Sequence, residues 1–135
     1  MVVKNSIFVI MKGENMYQIS FYEDKNGHSE VIDYINELRR KSFTNKTDRI
    51  NFNKMVAYID MLEEYGTRIG EPVTKHLDGE IWELRPLKNR VLYAYVENDT
   101  FVILHHFVKK TQKTPKKEIE KAKRNLQDYW ERYGD

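Results

Sequence analysis

The sequence predicts an α+β fold, in which a small antiparallel sheet packs against helices. The main observation is that the hydrophobic period changes along the chain. In several short segments apolar and polar residues alternate, as in half-buried strands. In three longer segments apolar residues recur every three to four positions, as in amphipathic helices. The second is that 135 residues with 40% hydrophobic content suffice for one compact core. The predicted order is β-α-α-β-β-β-α.

The first half of the chain predicts one strand and a pair of helices. Residues 17–22 alternate as a strand with one buried face. Ser29 is a suitable N-cap for a helix with Val31, Ile35 and Leu38 on one face. After a polar loop, a second apolar stripe ends at Tyr65–Gly66, which predicts an αα-hairpin.

The second half predicts three strands and a final helix. Residues 73–77 are short and extended, and the strands follow at 81–85, 91–96 and 101–108. Asp78–Gly79 and Asn98–Asp99 are reverse-turn pairs. For the last helix, the pattern predicts Thr114 as N-cap and Pro115 at the first helical position.

Residues 1–15 show no clear period and form a separate unit in our division of the chain, with the folded domain at 16–135. Lys12–Glu14 can be encoded by a purine-rich sequence typical of a ribosome-binding site, just upstream of Met16. One interpretation is that Met16 is the natural start and that residues 1–15 are a translated leader. The other is an ordinary N-terminal strand that pairs with the sheet.

Positive charge is concentrated near the C-terminus. Residues 109–124 contain eight Lys or Arg and two Glu, whereas the whole chain has a net charge of only +2. Such a cationic edge suits a phosphate backbone. The absence of cysteine, of a signal sequence and of a long apolar run predicts a cytoplasmic protein with no membrane partner.

Two arginines flank one predicted hairpin and are candidates for a phosphate site. Arg85 ends one strand and Arg90 begins the next, so the two should be close, and the last strand brings His105 and the following lysines to the same edge. No carboxylate excess is evident that would neutralise this cluster. The cluster suits RNA cleavage by internal attack of a 2′-hydroxyl, which needs proton transfer and cations but neither metal nor cofactor.

Structural explanations compete with this one. A lone Arg on a strand is usually a solvated surface residue, and the lysines of the last helix could be its wet face. His105 and His106 have opposite parity, so at most one faces the cluster, and their divergence disfavours a shared metal. No glycine-rich phosphate loop, metal-ligand spacing or nucleophile motif is present.

The combination of motifs resembles a known family. The residues are Lys75-x-Leu77, Ile81-Trp82-Glu83-Leu84-Arg85, Arg90-x-x-Tyr93 and His105-x-Phe107-x-Lys109-Lys110-Thr111-x-Lys113-Thr114-Pro115-x-x-Glu118-Ile119. They are similar to the phage-derived HigB-like toxins of the RelE/ParE superfamily, over residues 17 to about 130.

The resemblance implies a RelE-like fold and a type II toxin that cleaves mRNA on the translating ribosome. It also implies neutralisation by a helix-turn-helix, HigA-like antitoxin, with operator DNA bound indirectly through the complex. By similarity, the predicted catalytic residues are Arg85, Arg90, Lys109, Lys110 and, as acid or base, His105. The predicted RNA-binding residues are Lys75, His76, Lys113, Lys116 and Lys117.

The chain departs from the superfamily pattern at the second strand. Ile81 and Glu83 occupy positions where RelE has lysines, so the general base is not assigned. Two other functions stay open: inhibition of DNA gyrase, as in the ParE branch, and a non-catalytic nucleic-acid-binding accessory domain.

Overall fold

The computed structural model describes residues 17–134. Strand β1 (Gln18–Phe21) precedes helices α1 (Glu30–Ser42) and α2 (Lys46–Tyr65), and a 3₁₀ turn (Gly66–Ile69) follows. Strands β2 (Thr74–Asp78), β3 (Ile81–Leu84), β4 (Asn89–Tyr95) and β5 (Thr100–Val108) lead to helix α3 (Lys116–Tyr133). The predictions about residues 1–15 and the start at Met16 lie outside the described residues.

The α+β fold with an N-terminal helical hairpin and a C-terminal helix is confirmed. The five strands form one sheet in the order β1-β5-β4-β3-β2. Two details differ from the predicted order and orientation. The extended segment before Asp78 joins the sheet as strand β2, and β1 runs parallel to β5, whereas the other pairs are antiparallel. Alternation identifies a strand but not its partner or direction, because pairing is decided by contacts distant in sequence.

The local signals at turns and helix ends are mostly confirmed. The Ser29 side chain accepts a hydrogen bond from the Ile32 amide and caps α1. Asn98 and Asp99 both have positive φ, as the tight β4–β5 hairpin requires. The prediction of Thr114 as N-cap is wrong: α3 begins at Lys116, Pro115 is its N-cap, and the Thr114 hydroxyl donates to Glu83 instead.

The sheet separates two cores. We call the side that packs against α1 and α2 the hairpin face, and the side that packs against α3 the helix face. The hairpin-face core is the larger, with thirteen buried residues against seven. At roughly 25 cal/mol per Å² of buried apolar area, the larger core contributes more of the hydrophobic stabilisation. Its members are Ile19, Phe21, Val31, Ile35, Leu38, Met55, Ile59, Leu62, Leu84, Val91, Tyr93, Phe101 and Ile103; the helix-face core is Ile81, Leu92, Ala94, Val102, Leu104, Ala122 and Leu126.

Candidate active site

Charged residues from three strands share the helix face. Glu83 of β3 lies opposite Leu92 of β4, and Leu92 lies opposite His105 of β5. Directly opposed residues point to the same side of a sheet, and so do residues two positions apart on one strand. Arg85 and Arg90 therefore share the face of Glu83 and His105, as the sequence predicts.

A buried carboxylate lies between the two arginines. Glu83 is 1% exposed, and its Oε1 lies 3.3 Å from Arg85 Nε and 3.9 Å from Arg90 Nε. Its other oxygen, Oε2, accepts a hydrogen bond from the Thr114 hydroxyl. One buried carboxylate thus neutralises part of the cluster, which still has no carboxylate excess. The alternation of β3 puts Glu83 on the face of Arg85, but its burial depends in part on Thr114, which is distant in sequence.

Arg90 is held in place by its own turn. Its Nη1 donates to the backbone carbonyls of Leu87 and Asn89, both at 2.8 Å, and its side chain is 8% exposed. Burial lowers the pKa of Arg90; the charge of Glu83 raises it and that of Arg85 lowers it further. A guanidinium stays protonated under such shifts, so Arg90 is a fixed cation inside the fold.

Arg85 is the more accessible of the two guanidiniums. Its side chain is 23% exposed. The Nε atom is buried, and although it approaches Glu83, no residue within 17–134 accepts a hydrogen bond from it. An oxyanion could reach the exposed part of this guanidinium rather than the buried Nε atom, which faces Glu83.

The predicted lysines surround this pair unequally. The Lys109 amide donates to the Lys88 carbonyl, which joins the cationic loop to the β3–β4 turn. Lys110 and Lys113 are exposed in that loop, and Lys116 and Lys117 are exposed at the start of α3.

Strand β2 separates the two remaining RNA-binding candidates. Lys75 lies opposite Glu83 and so shares the helix face. His76 lies opposite Trp82, bonds the Gly79 carbonyl and packs 5.1 Å from the Trp82 ring, so the structure does not bring it to the arginines.

His105 lies between two carboxylates. Its Nδ1 is 3.1 Å from Glu30 Oε1 and its Nε2 is 2.7 Å from Glu118 Oε1, and the residue is 5% exposed. Glu30 belongs to α1 and Glu118 to α3, so the imidazole connects the two helices across β5. Burial raises the pKa of Glu30, but the hydrogen bond and charge of Lys121, with His105, lower it overall.

His106 diverges from His105, as predicted, and lies on the hairpin face. Its ring stacks on Tyr34 at 3.8 Å, and its Nε2 bonds Asn89 Oδ1. Burial lowers the pKa of His106 to about 4, with a further contribution from His105. The neutral imidazole therefore donates its Nε2 proton to Asn89.

Comparison with known proteins identifies the family of the chain. Residues 41–127 match the phage-derived Gp49-like proteins, and the matched region contains Glu83, both arginines and the cationic loop. The chain belongs to the Gp49-like family. This family is RelE-like and associated with toxin–antitoxin systems, which confirms the broader part of the resemblance and implies an antitoxin partner. No curated protein matches the chain.

The sequence alone did not predict the groups that hold the cations of this candidate site. Glu83 and Thr114 are separated by 31 positions, and Glu30 and His105 by 75. The one local signal for a buried ion pair was the carboxylate of Glu83, which lies between the apolar residues Trp82 and Leu84. Such a residue needs a buried partner, and Arg85 two positions on was the nearest candidate.

Within residues 17–134, no three His, Asp or Glu side chains are grouped so that they could bind a metal ion. None of the helices in this part of the chain is both long enough and apolar enough to cross a membrane.

Proposed function

We propose that the chain is the toxin of a type II toxin–antitoxin pair and cleaves mRNA on the ribosome. The observation that carries the proposal is the partly exposed Arg85 guanidinium, held over buried Glu83 and next to the fixed cation of Arg90. Family membership supports the toxin assignment. The ribosome, the mRNA and a helix-turn-helix type of antitoxin are the finer parts of the proposal.

The reaction is an internal transesterification. The 2′-oxygen attacks the adjacent phosphorus, the bond to the 5′-oxygen breaks, and the products are a 2′,3′-cyclic phosphate and a 5′-hydroxyl. A base removes the 2′ proton and an acid protonates the departing 5′-oxygen. No metal is required for these steps. The added negative charge on phosphorus is what the arginines would stabilise.

The residues divide into two roles. Arg85 and Arg90 stabilise charge at phosphorus, and Lys109, Lys110 and Lys113 hold the flanking backbone as point charges. The cationic surface is extended by Lys75, Lys116 and Lys117. His76 lies on the other side of the edge strand, so it would contact RNA only where the RNA passes beyond that strand.

The earlier prediction for His105 was an acid or a base. Because both its nitrogens already contact carboxylates, we propose that His105 positions α3 and the cationic loop rather than transferring the proton. This role leaves the proton-transfer groups unassigned.

The test is primer extension on a transcript in a translation system at constant Mg²⁺, with the ends of the fragments identified chemically. We expect fragments that end in 2′,3′-cyclic phosphate and begin with 5′-hydroxyl, the products of the internal transesterification. Fragments that end in 3′-hydroxyl and begin with 5′-phosphate, or uncut mRNA while translation stops, would contradict the proposal. Trapping of cleaved DNA by purified gyrase would instead support the ParE-like function.

A further inference from the structure

A cavity of about 520 Å³ opens on the other side of the β3–β4 turn from Glu83. It lies between the helical hairpin and that turn, within the size range of ligand pockets. Its lining includes both charges, with Asp48 and Lys88, and the neutral polar residues Thr47, Asn51 and Asn89. The remaining lining residues are Tyr34, Leu38, Leu87 and Val108. Leu87 and Val108 are 46% and 47% exposed, so two apolar side chains border the opening.

The inner wall of the cavity is a rigid hydrogen-bond network. Asn89 is 2% exposed; its Oδ1 accepts from the Tyr34 hydroxyl and from His106, and its Nδ2 donates to Asn51 Oδ1 and the Pro86 carbonyl. Every hydrogen-bonding position of this carboxamide is used. The network therefore fixes the shape of the wall and leaves recognition to other groups.

Asp48 is the anionic group that the lining offers to a ligand. It is half-buried in the first turn of α2, and no residue in the described part of the chain donates to its carboxylate. An ionised carboxylate only accepts hydrogen bonds, so its ligand must present donors. Among the nucleobases, guanine presents two adjacent donors, N1–H and N2–H₂, which match the two oxygens of a carboxylate.

The backbone at Leu87 suggests a use for its side chain. The Asn89 amide bonds the Pro86 carbonyl across this turn, and Leu87 has φ of 61°, a conformation that favours glycine. A leucine here is strained, and its side chain is nearly half exposed. Strain of this kind concentrates at ligand-binding positions. An apolar side chain at the opening could contact the flat face of a base.

The same turn joins the cavity to the candidate active site. Arg90 Nη1 donates to the carbonyls of Leu87 and Asn89, two residues that line the cavity. A phosphate held at the arginines would thus lie across this one turn from the opening, and the neighbouring nucleoside would have to extend around the turn to enter the cavity. We propose that the cavity binds a guanine base of the RNA next to the scissile phosphate, with Asp48 reading its N1–H and N2–H₂ edge. The inference rests on the proposed function.

Binding can be measured without cleavage, which separates this inference from the proposed function. The probes are GMP, AMP and two short RNAs that differ only in one base, which is guanine in one and adenine in the other. Both RNAs carry 2′-deoxy sugars to prevent cleavage. We expect the guanine RNA to bind the full chain at least about fivefold more tightly than the adenine RNA, the low end for a bidentate base contact. NMR signals of the Asn51 and Asn89 carboxamides should shift with the guanine RNA.

Asp48→Asn should abolish the guanine preference, because the amide offers only one acceptor. Asp33→Asn is the matched control, since Asp33 is an exposed acid in the first turn of α1 and does not line the cavity. Leu87→Gly should reduce guanine binding while leaving the urea midpoint of unfolding no lower than in the parent. Loss of binding in Leu87→Gly together with a lower midpoint would assign Leu87 to the fold alone.

Three results would overturn the inference: equal binding of the two RNAs, an unchanged preference in Asp48→Asn, or GMP binding as tight as the RNA. If the guanine preference is present but the chain cuts no mRNA, the proposed function fails and the cavity assignment stands. If the chain cuts mRNA and the Asp48→Asn variant keeps the guanine preference, the proposed function stands and the cavity assignment fails.

Discussion

Two groups of buried polar side chains, one on each face of the sheet, differ in charge. On the hairpin face, the Tyr34, Asn89 and His106 network is neutral and uses every hydrogen-bonding position of the Asn89 carboxamide, and it adjoins the larger apolar core. On the helix face, Glu83, Arg85 and Arg90 bury ionised groups beside the smaller core. A neutral network can make its hydrogen bonds within the protein, whereas a charged group with unused donors can bind a ligand of opposite charge.

This difference predicts on which face a substitution changes stability and activity separately. If one hydrogen bond of the hairpin-face network is removed, the other side chains keep their remaining partners. The helix face depends on one carboxylate, because Glu83 balances both guanidiniums and accepts the Thr114 hydroxyl that precedes α3. Substitutions on this face should therefore affect folding and activity together unless the side chain is partly exposed, as Arg85 is.

Removal of the buried carboxylate should have the largest effect on stability. Glu83→Ala leaves two guanidiniums without a counter-charge, and we expect a loss of roughly 3–5 kcal/mol in the free energy of unfolding. Urea denaturation of the full chain measures it. Glu80→Ala, at an exposed position before the same strand, is the control and should change little. A loss below about 1 kcal/mol would show that Glu83 does not support the pair.

The two arginines should separate activity from stability. Arg85→Ala should lower the single-turnover rate of mRNA cleavage by about 10²–10³, the range for one donor that stabilises transition-state charge, with a minor change in unfolding free energy. Arg90→Ala should lower both, because the Leu87 and Asn89 carbonyls lose a donor and Glu83 loses a counter-charge. Wild-type cleavage by Arg85→Ala on saturating ribosome complexes would show that the site is assigned wrongly.

The neutral network should make the hairpin face sensitive to acid. The pKa of His106 is about 4 in the fold against an ordinary 6.5, so the unfolded chain binds a proton first as pH falls. The stabilisation is complete above pH 6.5 and declines between 6.5 and 4, by at most about 3 kcal/mol. His106→Phe should flatten the curve of unfolding free energy in this window, because Tyr34 still donates to Asn89. His28→Gln, at an exposed loop position, is the control. A His106→Phe curve that runs parallel to the curve of the parent chain would contradict the assignment of this acid sensitivity to His106.

The exposed end of the helix face should show the smallest effect. Lys123 pairs with Asp78 at 2.6 Å, but both side chains are largely exposed. Solvent and salt screen such a pair, so Lys123→Ala should leave stability and single-turnover cleavage unchanged and weaken ribosome binding only at low salt. A fall in the cleavage rate at saturating ribosome concentration would place Lys123 among the catalytic groups.

Local chemistry made most of the secondary structure predictable. Ser29 caps α1, Gly66 ends α2 and the Asn98–Asp99 pair forms its hairpin, since each depends on residues within a few positions. The alternation of Trp82, Glu83, Leu84 and Arg85 likewise assigns them correctly to opposite faces. The clustering of Arg85 with Arg90 follows from the short turn between their strands.

Only the tertiary structure decided which partners these side chains acquire. Thr114 is a good N-cap by its local sequence, yet its hydroxyl donates to Glu83, because a buried carboxylate needs a donor more than a helix end exposed to water does. The parallel pairing of β1 with β5 and the position of His105 between Glu30 and Glu118 arise in the same way. The sequence by itself determined the elements, their faces and the cationic edge. The burial of Glu83 depends in part on Thr114, which is 31 positions away in the chain and which no local pattern brings to it.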